Sequence, residues 1–263
     1  MEAGRCIALT IIFCMTCKCL CESVIQMSPE NRGSDLIPEG WSYTRDDNLF
    51  CDSWKYTVET NSAGKWSQIP KRCGEYVKDY MTSIRYQYDM EAVAENAITF
   101  VREAYFAEDG RDAWIFDIDE TLISNLPYYA AHGFGLEKFD EKSFDEWVDL
   151  AESPAIAASM KLYDELQQLG FKIFLLTGRT EHQRNATEIN LLKAGFRNWD
   201  KLILRGVSEA KKPAMLYKSD KRREIEEAGY IIHGSSGDQW SDLLGSSLAI
   251  RSFKLPNPIY HIP

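Results

Sequence analysis

Positive charge is what this chain is short of. Its 30 Lys and Arg stand against 40 Asp and Glu, for a formal net charge of −10 and a pI near 5.0. That balance excludes a broad basic face for nucleic acid, and an anionic ligand would need a local cluster of cations or a metal. Long apolar runs are missing too. The stretch from Ile7 to Met15 is too short to cross a hydrocarbon core of about 30 Å, and no later segment is apolar enough to do so. There is no internal repeat and no low-complexity tract. Beyond the first two dozen residues cysteine is almost gone: Cys6, Cys14, Cys17, Cys19 and Cys21 come early, and only Cys51 and Cys73 follow.

What is present begins with a leader. Arg5 precedes the short apolar run, which ends in small and polar residues around Cys21, Glu22 and Ser23. Residues 1–23 therefore read as a signal peptide that directs the chain to the secretory pathway, vacuolar or extracellular. In an oxidising compartment the two remaining cysteines, Cys51 and Cys73, are expected to close one disulfide, the alternative being two unpaired thiols.

A chain of 263 residues with 44% apolar content can bury a sizeable core. Residues 24–110 read as an N-terminal extension followed by a helical region. Within them, 28–74 show little periodicity, whereas Tyr88–Tyr105 places Ala94, Ala97, Ile98 and Val101 at helical spacing. From Arg111 the rhythm is strand, helix, strand. Strands are predicted at 113–116, 171–176, 201–204, 230–232 and 247–253, with helices over 154–169, 181–194 and 218–228. That alternation implies an α/β fold, a parallel sheet flanked by helices, whose ligands sit outside the carboxyl ends of the strands.

The polar residues at that edge carry the chemistry. Residues 113–121 read Ala-Trp-Ile-Phe-Asp-Ile-Asp-Glu-Thr, a buried strand delivering Asp117 and Asp119 two positions apart. If the strand continues through them they share a face, and two such carboxylates resist joint ionisation unless a cation or a shared proton relieves them. Thr177, Gly178 and Arg179 follow the second strand. Lys218 falls near the start of a charged helix, and Gly237-Asp238-Gln239-Trp240-Ser241-Asp242 follows the fourth strand.

In that order and spacing the four segments resemble the motifs of the haloacid dehalogenase-like superfamily. Ser124-Asn125-Leu126-Pro127-Tyr128-Tyr129, Gly237-Asp238-Gln239-Trp240 and Phe253-Lys254-Leu255-Pro256-Asn257-Pro258 make the chain similar to plant acid phosphatases and vegetative storage proteins, from about Trp41 onward. The resemblance implies a Rossmannoid sheet over 111–263 with a small cap inserted at 124–153. It implies Asp117 as nucleophile, Asp119 as general acid and then base, and Thr177, Gly178 and Lys218 as contacts to the phosphoryl group. It also implies a Mg²⁺ site from Asp117, Asp238 and the backbone carbonyl of Asp119. A small phosphate monoester is the expected substrate, an aspartyl-phosphate the expected intermediate, and a homodimer the expected assembly. The alternative function is a storage glycoprotein with weak or no turnover. Some storage relatives carry serine in place of the nucleophile, and this chain keeps Asp117.

Other residues have ordinary readings beside functional ones. Asp238 suits a helix cap after the glycine turn, Asp242 suits either a hydrogen-bonding support for the metal ligands or the first turn of a helix, Arg179 suits a structural partner for carboxylates, and His132 suits a turn. His233 is expected as a satisfied histidine near the site rim. Tyr128 and Tyr129 either line the mouth or pack the insertion. Asn185-Ala-Thr187 is a glycosylation sequon on a predicted helix. Ser235 stands where relatives tend to carry asparagine; serine keeps a hydrogen-bonding group but a shorter one, which bears on substrate positioning rather than on metal binding.

Overall fold

The computed structural model describes residues 43–103, 106 and 109–263, so the expected leader and its cleavage lie outside the described residues. At the centre is β1 (Asp112–Phe116), whose five residues are all buried, as befits an interior strand of a parallel sheet covered on both sides. The sheet order is β3-β2-β1-β4-β5, with β2 (Lys172–Thr180), β3 (Lys201–Arg205), β4 (Ile231–Gly237) and β5 (Arg251–Lys254), every neighbouring pair parallel. The chain runs outward from β1 to β3, then returns past β1 to β4. The switch in direction opens a crevice beyond the carboxyl ends of β1 and β4.

Strand alternation sorts the core into two layers. Trp114, Phe116, Ile173, Leu175, Leu202 and Leu204 point to one face, where α3 (Ile84–Glu103) and α6 (Ala157–Gln168) pack against each other. Ala113, Ile115, Phe174, Leu176 and Ile203 point to the other, under α8 (Ala214–Glu227), which supplies Tyr217 and Ile225. Trp114 is fully buried, stacks on Phe253 at 5.3 Å and donates its indole N–H to Ser236 Oγ at 3.0 Å. Its ring fills the space where any side chain on Gly234 would lie, so the β4 glycine is a packing requirement.

Three expectations change. The irregular reading of 28–74 fails across α1 (Tyr43–Glu59), a 17-residue helix. Its Asp, Asn, Thr and Ser content gives weak intrinsic helicity, and it is held from outside. A disulfide joins Cys51 on α1 to Cys73, just before α2 (Gly74–Thr82). Next, β2 and β4 run several residues beyond their predicted ends, through Thr180 and Gly237, because parallel pairing continues past the apolar run, while β5 starts only at Arg251. Finally, α8 begins at Ala214, which puts Lys218 in its second turn. The insertion 124–153 holds α4 (Leu126–Ala131) and α5 (Glu141–Leu150); α7 (Arg184–Ala194) and the four-residue α9 (Trp240–Leu243) complete the helices.

Candidate active site

The strand does not last through both aspartates. β1 ends at Phe116, and the Ile118 carbonyl collects the N–H groups of Thr121, Leu122 and Ile123, closing a tight loop with Glu120 at a φ of 49°. The two carboxylates therefore take different partners. Asp117 stays beside β4, its N–H on the Ser236 carbonyl at 2.9 Å, and accepts from Lys218 Nζ at 2.6 Å. Lys218 also donates to Asp242 Oδ1, while Asp242 Oδ2 accepts the Gln239 N–H at 2.9 Å and caps α9. Asp242 thus sits in the first helical turn, as its ordinary reading has it, and anchors Lys218 as well. Arg222, also buried, donates to the carbonyls of Asp242, Leu244, Ser246 and Ser247 and fixes the segment after α9.

Asp238 completes the cluster. Its Oδ2 accepts from Gln239 Nε2 at 2.6 Å and Asn257 Nδ2 at 2.7 Å, but Oδ1 is buried with no partner. Among the described residues, Asp117, Asp238 and Asp242 offer carboxylate oxygens that all lie within 4.8 Å of one another. One ammonium cannot neutralise three buried carboxylates. Burial would lower Lys218, but Asp117 and Asp242 outweigh it and hold the amine cationic. Burial also pushes Asp117 well above the usual carboxylate range, with Asp242, Asp238 and Asp119 adding to a rise that Lys218 only partly offsets. Asp238 is pushed up to about 7 by burial, then by Asp242 and Glu120. An orphaned oxygen in an oxygen-only, over-negative cradle fits a hard dication such as Mg²⁺. Because both oxygens of Asp242 are already engaged, Asp117 and Asp238 are the carboxylates free to hold it.

Asp119 is held by a second wall, built on β2. Arg179 Nη2 reaches Asp119 Oδ1 at 2.7 Å and Nε reaches Oδ2 at 3.0 Å, so Arg179 is the carboxylate partner its sequence position suggested. Burial pushes Asp119 up, but Arg179 and the amide of Asn125 overcome it and leave the carboxyl below its ordinary range. Thr177 is fully buried next door, its Oγ accepting the Arg179 N–H at 3.1 Å, which leaves the hydroxyl proton free to donate. Gly178 is exposed at the strand edge with open space above its Cα.

Several residues that tie this wall together were not singled out for it from sequence. Asn125 Nδ2 donates to Asp119 Oδ1 at 2.8 Å and to Glu120 Oε2 at 3.2 Å. Asn125 Oδ1 accepts from Trp147 of α5 and from Ser153, each at 2.9 Å, so one buried amide joins the loop to the insertion. Glu120 also accepts from Tyr260 Oη at 2.6 Å, and burial followed by Asp119 pushes it up to about 7. Thr187, the hydroxyl residue of the sequon, is buried with its Oγ on Arg179 Nη1 at 3.1 Å, while Asn185 is exposed. Asn125 had a sequence signal in the Ser124–Tyr129 segment, Glu120 in the 113–121 motif and Thr187 in the sequon; Trp147, Ser153 and Tyr260 had none.

The remaining candidates lie elsewhere. His233 is satisfied but not at the rim: it meets Asp112 at 2.7 Å, at the amino end of β1, because β4 enters the sheet there. His132 caps the carboxyl end of α4, 3.2 Å from Glu137. Tyr128 and Tyr129 are buried in the packing of the insertion, Tyr129 stacked on Tyr260 at 5.1 Å. Ser235 lies inside the sheet, level with Ile115 rather than at the carboxyl edge.

Comparison with known proteins gives the family. The chain is 52% identical over 216 residues to "Acid phosphatase 1" of Solanum lycopersicum, covering 82% of this chain and 85% of that protein. It is 42% identical to "Stem 28 kDa glycoprotein" of Glycine max (81% and 84% covered) and 37% identical to "Vegetative storage protein 2" of Arabidopsis thaliana (81% and 80%). The class C acid phosphatase of Bacillus anthracis shares the fold, with a TM-score of 0.59 over 83% of this chain and 86% of that one at 19% identity. The family model described as "HAD superfamily, subfamily IIIB (Acid phosphatase)" matches residues 40–263, and the chain belongs to that family.

Proposed function

We propose that this protein is a Mg²⁺-dependent acid phosphatase for small phosphate monoesters, acting in the vacuole or outside the cell. The observation that carries the reading is Lys218 Nζ against Asp117, with the bare Oδ1 of Asp238 in the same cluster. Asp117 attacks phosphorus: a carboxylate oxygen–phosphorus bond forms, the ester oxygen–phosphorus bond breaks, and Asp119 gives the departing alkoxide its proton. Asp119, now a base, then takes a proton from water, whose oxygen displaces Asp117 and releases inorganic phosphate. Lys218 keeps positive charge beside the phosphoryl oxygens, and the Thr177 hydroxyl donates to one of them. Mg²⁺ held by Asp117, Asp238 and the Asp119 carbonyl would supply the charge that lets an anionic nucleophile meet an anionic ester. Since Arg179 holds Asp119 below its ordinary range, the protonated acid is scarce at neutral pH, and an acid medium raises its share.

The test is hydrolysis of an aryl phosphate near pH 5, with Mg²⁺ and with chelator, by the wild type and Asp117→Asn. Loss of activity on both chelation and substitution is expected; equal background rates in every sample would refute it. That second outcome would favour the storage role, which the glycoprotein and storage-protein relatives suggest. Asn185, exposed on α7, is the proposed glycan acceptor, read out by a glycosidase mass shift. A homodimer, measurable by light scattering, belongs to the same reading.

A further inference from the structure

The Asp238 carboxylate is held by a residue that is itself held from outside the sheet. Asn257 lies between Pro256 and Pro258, whose rings restrict the local backbone and leave Asn257 the only N–H donor of the three. Its side chain is 1% exposed and is aligned by the Ile259 N–H, which donates to Asn257 Oδ1 at 2.9 Å; its Nδ2 then points at Asp238 Oδ2. The Asn257 backbone N–H donates to Glu59 Oε1 at 3.0 Å. Glu59 is the last residue of α1, and its Oε2 accepts from Lys254 Nζ at 2.8 Å, with Lys254 in turn on the Leu255 carbonyl at 2.7 Å. Alongside, Trp240 Nε1 reaches the Val58 carbonyl at 3.3 Å, and the Cys51–Cys73 disulfide secures the same helix.

We propose that Glu59 is a positioning residue for the metal. Through the Asn257 amide it sets the angle at which Asp238 presents its unpartnered Oδ1, so that the end of a helix outside the α/β sheet tunes divalent-cation affinity. This rests on the Mg²⁺ reading above. The carboxylate is suited to the task because one oxygen takes the Asn257 N–H, the contact that leads to Asp238, while Lys254 only satisfies the other oxygen. Groups that orient a metal's ligands typically change affinity 10- to 100-fold when removed.

The experiment is Mg²⁺ titration of the full chain by calorimetry, without substrate. Glu59→Ala is expected to weaken Mg²⁺ binding about 10-fold, and Asn257→Ala at least as much. Lys254→Met, which removes the largely buried ion pair but leaves the Asn257 N–H on Glu59, is expected to lower thermal stability with affinity kept within about twofold. Loss of affinity in Lys254→Met equal to that in Glu59→Ala would overturn the proposal, since general undocking of α1 would then be the cause. Unchanged affinity in Glu59→Ala, with the wild type binding Mg²⁺, overturns it alone. A wild type that binds no Mg²⁺ overturns the metal reading and this inference together. Should Glu59→Ala not fold, hydrogen exchange on the wild type decides. Coupling is reciprocal, so Mg²⁺ must raise protection at the Asn257 amide, and equal protection with and without the ion overturns the proposal.

Discussion

Lys218→Met isolates the electrostatics on which the pocket depends. Lys218 is 5% exposed and bridges Asp117 and Asp242, themselves 6% and 4% exposed. Methionine fills a similar volume but leaves two buried carboxylates unpaired next to Asp238. Removing one partner of a buried ion pair costs about 3–5 kcal/mol, and each kcal/mol moves the midpoint of a chain this size about 2–4 °C. The metal-free variant should therefore melt roughly 6–20 °C below wild type at pH 8. The pH dependence gives the sharper check. Asp117 and Asp238 have folded pKa values raised above unfolded ones near 4, so protons bind the folded state more tightly. Stability from this source is complete below about pH 4 and is lost as pH rises through the folded values, about 7 for Asp238. Without the ammonium these groups rise further. The gap between variant and wild type must therefore narrow as pH falls from 8 to 5, in scanning calorimetry with chelator present. A gap of the same size at both pH values would refute this reasoning.

Arg179→Met should move the basic limb of the kcat/KM profile to higher pH, because Asp119 is then no longer held below its ordinary range; an unmoved limb argues against Asp119 as the acid. Gly237→Ala puts a methyl group where the Asp242 side chain lies, displacing the second anchor of Lys218. A fall in kcat of about 100-fold is expected from steady-state assays, with a stability loss of only about 1–3 kcal/mol by denaturant titration. Replacing Cys51 and Cys73 by alanine opens a link across 22 residues and should cost about 3 kcal/mol, read as a lower thermal midpoint.

The sheet and the catalytic edge were largely legible because both rest on local signals. Short continuous apolar runs, Ala113–Phe116 and Ile173–Leu176, buried throughout and followed by polar residues at the strand ends, are patterns contained within each segment. What stayed hidden depends on distant partners. Asn125 reads as a loop amide until Trp147, Ser153, Asp119 and Glu120 converge on it, and Tyr260 reads as one more aromatic until its hydroxyl meets Glu120. α1 escaped for a different reason: Asp, Asn, Ser and Thr argue against a helix that packing and a disulfide then stabilise. The Asp117–Asp119 pair was the instructive case. Period-2 reasoning placed them on one face of a continued strand; the loop that closes on the Ile118 carbonyl replaces that strand and gives one to Lys218 and the other to Arg179, yet Asp119 stays near enough to help raise Asp117.

The separations spanned by these contacts bear on kinetics. Asp117 and Lys218 lie 101 residues apart, Glu120 and Tyr260 140, Glu59 and Asn257 198. Each closes a large loop before any reward is collected, and non-local closure of this kind slows folding. Helices, whose contacts are local, can therefore be in place while the long-range strand pairs and the pocket are still open, so a refolding sample is expected to regain helical circular dichroism before its ability to turn over an ester.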